Sequence, residues 1–558
     1  MSEATLDRPW LRFYEPGVPH TLRYPRASVQ SLLDESAAQF GDRSAAVFFG
    51  AALSYRALHT LVHRFAGALH RLGVRPGDRV SLHLPNSPQF LIAYYGALRA
   101  GAVVVPFNPL YVEREIEHQL IDSGAEVAVT LNLFYPRLAD VRPRTRVREI
   151  IVTSINAYFP PLLRWLYPLK AWREGHLVRV PRGRDVHRFS ELLDADQPAP
   201  PEAIDPEQTA LLLYSGGTTG TPKGVILSHR NLVCNVVQAR AWFTGLRAGE
   251  DSILAVIPFF HSYGMTAAMN LAVSAGERLI LLPRFQAEMV LGAIAAYKPR
   301  LFPGVPTLYT AIISHPHVSR YNLRSGMSCI SGAAPLPVEV QTRFEQLTGG
   351  KLVEGYGLTE ASPITHANPI SGIRKMGSIG VPFPDTDARI VDGSGERALP
   401  PGEVGELAVR GPQVMQGYWN QPAETAQMLR DGWLFTGDLA KMDADGFFYI
   451  VDRKKEMIIT GGLNVFPREV EEVLYAHPAV QEAAAIGVRD PYRGESVKAF
   501  VVLRQGARAT ADEIIEHCRR NLAPYKVPRA VEFRTQLPKS IVGKILRRVL
   551  MEEERAKS

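Results

Sequence analysis

Tyr214-Ser215-Gly216-Gly217-Thr218-Thr219-Gly220-Thr221-Pro222-Lys223-Gly224 is the stretch around which the rest of the sequence arranges itself. The apolar run Ala210-Leu211-Leu212-Leu213 leads in and Val225-Ile226-Leu227 leads out, so the pattern predicts strand, loop, strand. The glycines let the backbone curl until several N–H groups converge on one point. Threonine and serine hydroxyls add donors, and Lys223 adds a positive charge. Such a loop suits a polyphosphate. A Walker A loop would place Gly before the lysine and Ser or Thr after it. Here Pro222 precedes Lys223, Gly224 follows, and no helix starts at the lysine.

At 558 residues the chain has room for about three or four structural units, and its hydrophobic content is ample for large cores. The 63 basic against 56 acidic residues leave a net charge of +7, too mild over this length to demand nucleic acid. Cys234, Cys329 and Cys518 lie far apart and form no metal-ligand spacing. That predicts a reducing, cytoplasmic setting. The first residues lack the charged-then-apolar design of a signal peptide. Residues 252–276 carry no Asp, Glu, Lys or Arg, long enough for a membrane span. Pro258, His261, Gly264 and Asn270 interrupt them, so buried core is expected there.

The first half alternates helix and strand. Ser54 is placed to cap a helix whose Leu58, Leu61, Val62, Phe65, Leu69 and Leu72 repeat at helical spacing up to Gly73. Val80, Leu82 and Leu84 alternate as a strand. Ser87-Pro88 opens another helix as cap and first-turn proline, and Gly101 ends it. Residues 102–107 read as strand, 113–123 as helix and 126–131 as strand. This rhythm argues for parallel sheet with helices on its faces. Residues 389–433 are turn-rich, with short β-like runs that suggest a small β subdomain. Beyond Asp452, Thr510-Ala511-Asp512-Glu513 forms a capping box, and residues 480–488, 498–503 and 530–533 read as strands. The tail is therefore read as a separate α+β domain.

Residues 158–172 stand apart: aromatic, apolar and flanked by Arg164, Lys170 and Arg173. They read either as a surface insertion packed on its own domain or as an interfacial contact with lipid. Their prolines argue against a long amphipathic helix.

Five further patterns carry chemistry. Pro258-Phe259-Phe260-His261-Ser262-Tyr263-Gly264 puts a histidine in an apolar run. Ser331-Gly332-Ala333-Ala334-Pro335 offers small residues that let a flat ring approach the backbone. Glu354-Gly355-Tyr356-Gly357-Leu358-Thr359-Glu360 pairs an aromatic face with a carboxylate. Trp433-Leu434-Phe435-Thr436-Gly437-Asp438 sets a carboxylate after a tight turn. Leu537-Pro538-Lys539-Ser540-Ile541-Val542-Gly543-Lys544-Ile545-Leu546-Arg547-Arg548 places a lysine near the C-terminus.

Taken in this order, and with Ile450-Val451-Asp452-Arg453-Lys454-Lys455-Glu456-Met457, these motifs resemble the adenylate-forming superfamily from about Val29 to Leu550. The likeness is to bacterial long-chain fatty acid–CoA ligases. It implies an α/β large domain of parallel-type subdomains plus a small β subdomain (residues 1–452), with a mobile α+β C-terminal domain (453–558). It also implies the substrates ATP, a carboxylic acid and coenzyme A, with Mg²⁺. By resemblance, Ser215, Gly216, Gly217, Thr218, Thr219, Gly220 and Lys223 hold phosphates. Glu360 binds the metal with a hydroxyl of Ser215 or Thr218. Tyr356 stacks on adenine opposite Gly332, Ala333 and Ala334, with Gly355, Gly357 and Thr359 beside it. Asp438 takes the ribose hydroxyls and Arg453 assists. Lys544 bridges the acid and the α-phosphate. His261 shifts to admit the thiol, Lys455 is the hinge, and Gly461 and Gly462 meet the pantetheine. Met265, Gly304 and Val305 line the acyl pocket, although some relatives carry a tryptophan at the Met265 position.

Three rivals share part of this pattern: an aryl or phenylpropanoid-type CoA ligase, a fatty acyl-AMP ligase and a catalytically inactive lipid-binding homologue. The uninterrupted run 447–458 disfavours the second, and the joint presence of Glu360, Asp438, Arg453 and Lys544 disfavours the third. A monomer or homodimer is expected, with a peripheral membrane contact as the sharper reading of residues 158–172.

Overall fold

The computed structural model describes residues 7–194, 204–215, 222–454, 456–460, 463–490, 492–540 and 543–557. The local signals hold. Ser54 Oγ accepts from Ala57 N at 3.2 Å to open helix Tyr55–Arg71. Ser87 Oγ accepts from Phe90 N at 3.3 Å to open helix Pro88–Arg99. Each cap satisfies an N–H that the first helical turn leaves without a partner. The two helices pack on each other and bury the stripe from Leu58 to Leu69.

Four sheets organise the described residues. In one, Arg79–His83, Val103–Pro106, Val127–Leu131, Glu149–Thr153, Val186–Arg188 and Thr209–Ser215 run parallel. The strand read as alternating is buried on both faces, Ser81 and His83 included, because helices cover both sides. Thr209–Ser215 then turns back as the antiparallel strand Lys223–Ser228, with Ser215 opposite Lys223. A second sheet carries the parallel strands Ser252–Ala255, Arg278–Leu281, Leu301–Gly304, Ser328–Ser331 and Lys351–Gly357. The charge-free run 252–276 supplies one of these strands and a buried helix, π-wound over Met265–Asn270. No helix among the described residues is long and apolar enough to cross a membrane. Residues 387–453 form an antiparallel sheet, as the turn-rich pattern suggests.

From Ile458 onward the chain builds its own sheet and two hydrophobic clusters to which no earlier residue contributes. The capping box is present, with Thr510 Oγ1 accepting from Glu513 N and Glu513 accepting from Thr510 N at 2.8 Å. Among the described residues, this unit meets the main body through Arg468 and Gly543, among others. Arg468 Nη1 donates to the Ile450 carbonyl at 2.6 Å, and Arg468 N donates to Asp452 Oδ2 at 2.9 Å. Gly543, at φ +75°, is pressed so close to Thr307 that a Cβ there would sit 2.2 Å from its Oγ1.

One expectation fails. Prolines do not prevent a helix in 158–172; Pro161–Arg173 is a helix with Pro168 inside it. Pro161 occupies the first turn, where its missing N–H costs nothing. Pro168 leaves the carbonyl of Arg164 without its usual donor, and Asn156 Nδ2 supplies one at 3.1 Å. Leu162, Trp165, Leu166, Leu169 and Trp172 share one face of this helix. They stand 67%, 76%, 41%, 52% and 66% exposed, while Ala171 faces inward. The helix therefore leaves these apolar side chains pointing at solvent.

Candidate active site

The motifs converge because adjacent parallel strands end at one edge. Ser331 is paired with Gly304 on one side and Glu354 on the other. The loops that follow these strands therefore leave from neighbouring points, the usual position for a ligand crevice in open α/β sheets. The turn with His261 follows Ser252–Ala255, two strands along the same sheet from Ser328–Ser331. Small residues are required at this edge. A Cβ on Gly332 would lie 3.3 Å from the Tyr263 ring, one on Gly304 2.6 Å from the Tyr309 ring, and one on Gly357 2.1 Å from the Pro363 carbonyl. Gly355 is equally confined, against Ile330. Ala333 takes a left-handed φ of +67° and is exposed, with Ala334 half-buried beside it.

Glu360, in the short turn Thr359–Ala361, faces the end of the hairpin. Its Oε1 accepts from Ser215 Oγ at 3.3 Å and from Tyr418 OH at 2.9 Å. Thr359 Oγ1 lies 3.5 Å from Ser262 Oγ. Lys223 Nζ pairs with Glu424 at 2.6 Å and sits over the Tyr418 ring. Gly216, Gly217, Thr218, Thr219 and Gly220 lie outside the described residues, as do Lys455, Gly461 and Gly462.

Asp438 and Arg453 are opposite each other on antiparallel strands, and Arg453 Nε is 3.3 Å from Asp438 Oδ1. Tyr356 OH donates to Asp438 Oδ2 at 2.6 Å. Burial, then the Asp438 charge, pushes the Tyr356 phenol well up, so it stays a donor. Asp438 in turn holds Arg453 above its ordinary range.

Lys544 of the tail lies near enough to this cluster to feel its charges. Burial, reinforced by Arg453, lowers its pKa to about 8, while Asp438 and Glu456 pull the other way. His261 lies within reach of the same ammonium. Burial first and Lys544 second depress its imidazole to about 4, so the ring is neutral. Its Nδ1 accepts from Tyr263 N at 3.2 Å. Met265, fully buried, begins the π-wound turn one step beyond, and Val305 is buried at the start of helix Pro306–Ile313.

The joint between body and tail is also charged. Arg547 Nη1 meets Asp452 Oδ1 at 3.2 Å and the Glu456 carboxylate more closely, and Nη2 meets Glu471 Oε2 at 2.6 Å. Asp452 ends a strand of the main body, whereas Arg547 and Glu471 belong to the tail. Sequence reasoning passed over Tyr418, Glu424 and this Arg547 cluster. Arg547 stood inside a quoted motif, three residues after Lys544. Tyr418 and Glu424 carry no local signal, since their partners are far away in the chain.

Residues 33–419 match the family described as AMP-binding enzyme, and residues 469–544 match the AMP-binding enzyme C-terminal domain. The chain is 49% identical over 551 residues to the long-chain-fatty-acid–CoA ligase of Bacillus subtilis (strain 168), covering 98% of each. It is 41% identical over 557 residues to that of Yersinia pestis, again covering 98% of each. Among solved structures it resembles the anthranilate CoA ligase AuaEII in complex with anthranoyl-AMP, with TM-score 0.85 and 28% identity over 96% of this chain and 99% of that one. A large α/β part with parallel sheets followed by a smaller α+β part is the adenylate-forming fold. An edge of glycine-rich loops, a tail that carries a lysine near it, and these matches over nearly the whole length agree: the chain belongs to the AMP-binding enzyme family.

Proposed function

We infer that the chain is an Mg-ATP-dependent acid–thiol ligase acting on medium- to long-chain fatty acids. It forms the acyl-adenylate, transfers the acyl group to coenzyme A, and releases AMP and pyrophosphate. The observation that carries this reading is that Lys544, from the tail, lies near enough to Asp438, Arg453 and His261, of the main body, for their charges to act on one another. Names of the full-length relatives support the fatty acid; likeness to the anthranilate ligase supports an aryl acid as the runner-up.

In the first step a carboxylate oxygen attacks the α-phosphorus and the α–β bridging bond breaks, expelling pyrophosphate. Two anions must approach, so the residues act chiefly by neutralising charge and fixing position. The hairpin from Ser215 to Lys223 holds the β- and γ-phosphates, and Lys223 exchanges Glu424 for phosphate oxygen. Asp438 accepts the ribose hydroxyls and Arg453 pairs with its other side. Tyr356 and the loop Gly332–Ala334 flank the adenine. Lys544 neutralises the acid and the α-phosphate together. Glu360 fits a hard cation: one oxygen is held by Ser215 and Tyr418, and all donors there are oxygen. When bound, Mg²⁺ supplies charge neutralisation at the bridging phosphates.

In the second step the coenzyme A sulfur attacks the acyl carbonyl, AMP leaves, and the thiol proton passes to solvent. The tail beyond Lys455 rotates between the steps, withdrawing Lys544 and presenting Gly461 and Gly462, while Arg453 stays paired with Asp438. The neutral His261 ring moves aside for the thiol, and the acyl chain runs past Met265, Gly304 and Val305. We place the protein in the cytoplasm, with helix Pro161–Arg173 resting its apolar stripe on a membrane surface.

The direct test is AMP release with coenzyme A across a ladder of saturated acids and several aryl acids; turnover confined to aryl acids would reverse the substrate assignment. Lys544→Ala should slow adenylate formation at least about 100-fold, roughly 2.7 kcal/mol, yet leave thiolysis of supplied acyl-adenylate within a few-fold of wild type. Equal losses in both half-reactions would contradict the assignment. Because the charged form is the active one, kcat/KM for adenylation should fall as pH rises through about 8. Lys544→Arg, always charged, should lose that alkaline limb. Glu360→Gln should raise the half-saturating Mg²⁺ concentration about tenfold, or 1.4 kcal/mol; an unaltered Mg²⁺ titration removes Glu360 from the metal. Replacing Trp165 and Leu169 by Ser should cut co-sedimentation with vesicles by about tenfold, and undiminished binding would end the membrane reading.

A further inference from the structure

Beside helix Pro161–Arg173, which contributes Arg164 to its lining, lies a cavity of about 920 Å³. Helix Tyr55–Arg71, residues 152–158 and residues 178–194 complete its walls, and none of the residues placed around Glu360, Asp438 and Lys544 lines it. Its size falls in the range of about 300–1,000 Å³ common to small-ligand sites. Its charge is unusual. Arg64, Arg164, Arg179, Arg182 and Arg188 contribute to the lining against one carboxylate, Asp194.

Arg188 is partly engaged, with Nη2 donating to the Val180 carbonyl at 3.0 Å. No carboxylate among the described residues makes an ion pair with Arg164, Arg179 or Arg182. Guanidinium groups gathered around one partly enclosed space repel each other and raise the local potential, so an anion entering there is drawn in. Planar forks from several directions match the oxygens of a phosphate ester better than a single carboxylate does.

The cavity also has an apolar neighbour. Arg164 sits on the helix that exposes Leu162, Trp165, Leu166, Leu169 and Trp172. Leu177, 61% exposed, stands two residues before Arg179. An apolar stripe beside a cationic hollow is the pairing of signals that holds a protein stably on an anionic bilayer. A soluble anion would have no use for the stripe.

We propose that this cavity is a headgroup site for the phosphate of an anionic phospholipid, occupied while helix Pro161–Arg173 lies on the bilayer. The proposal rests on the membrane contact above and adds a specific lipid partner to it. It also gives the enzyme a fixed orientation on the surface in which a fatty acid would be dissolved.

The full-length protein is sedimented with vesicles of phosphatidylcholine alone and with vesicles that also contain phosphatidylglycerol. Wild type should prefer the anionic vesicles by about tenfold or more. The triple variant R164Q/R179Q/R182Q should bind phosphatidylcholine as wild type does, keep its AMP-forming activity on a soluble acid, and show a preference below about twofold. The charge-matched variant K170Q/R173Q/R184Q, altered outside the cavity, should keep most of the preference. Should the triple variant be unstable, R179Q and R182Q singly, at exposed loop positions, should each lose part of it. An undiminished preference in the cavity variants overturns the proposal. So does an equal loss in the charge-matched control, which would mean diffuse surface attraction. Inorganic phosphate protecting wild type against heat, with no vesicle preference, would reassign the cavity to a soluble anion. Wild type that binds neither vesicle sinks the membrane contact itself, whereas equal binding to both sinks the headgroup site alone.

Discussion

The proposed chemistry depends on a cation that must be present for one step and absent for the next. A carboxylate and a triphosphate repel each other, and a lysine fixed among them would hold the product as firmly as it helped to form it. The chain meets this by placing Lys544 on a tail with its own core and sheet. Docking is specific: Gly543 lies flat against Thr307, and any side chain there would hold Lys544 away from its partners. The cost is visible in the ammonium itself, which burial and Arg453 make easier to deprotonate than in water.

The joint carries a complementary device. Arg547 is shared among Asp452 of the body, Glu456 at the joint and Glu471 of the tail. Removing one partner from such a buried set costs about 3–5 kcal/mol, because a charge is left unpaired. In the proposed rotation Arg547 would keep Glu471 while leaving Asp452, since Arg547 and Glu471 belong to one unit.

At the crevice itself the main body is rigid where it needs to be. Adjacent parallel strands end in glycine-rich loops whose lack of Cβ atoms brings backbone, Tyr263 and Tyr309 into close contact. Asp438 and Arg453 are set by cross-strand pairing rather than by a loop, which fixes their separation before any nucleotide arrives. The surface helix Pro161–Arg173 shows the opposite economy. Its apolar side chains are left outside, and a single amide from Asn156 repairs the one hydrogen bond that Pro168 removes.

Local rules therefore settled what local rules can. Helix caps at Ser54, Ser87 and Thr510, the alternation of strand and helix, and the glycine-threonine hairpin are written in neighbouring residues, because hydrogen bonds across three or four positions decide them. The motif residues around Glu360, Asp438 and Lys544 were legible as well, through their order along the chain. Tertiary structure alone decided which of them meet. Tyr418 on Glu360, Glu424 on Lys223, Thr307 under Gly543 and Asp452 on Arg547 join residues 58 to 236 positions apart. The outward face of Pro161–Arg173 was undecided for a related reason: periodicity reveals that a helix has an apolar side, but only the packing of its neighbours determines whether that side finds a core or is left for another surface.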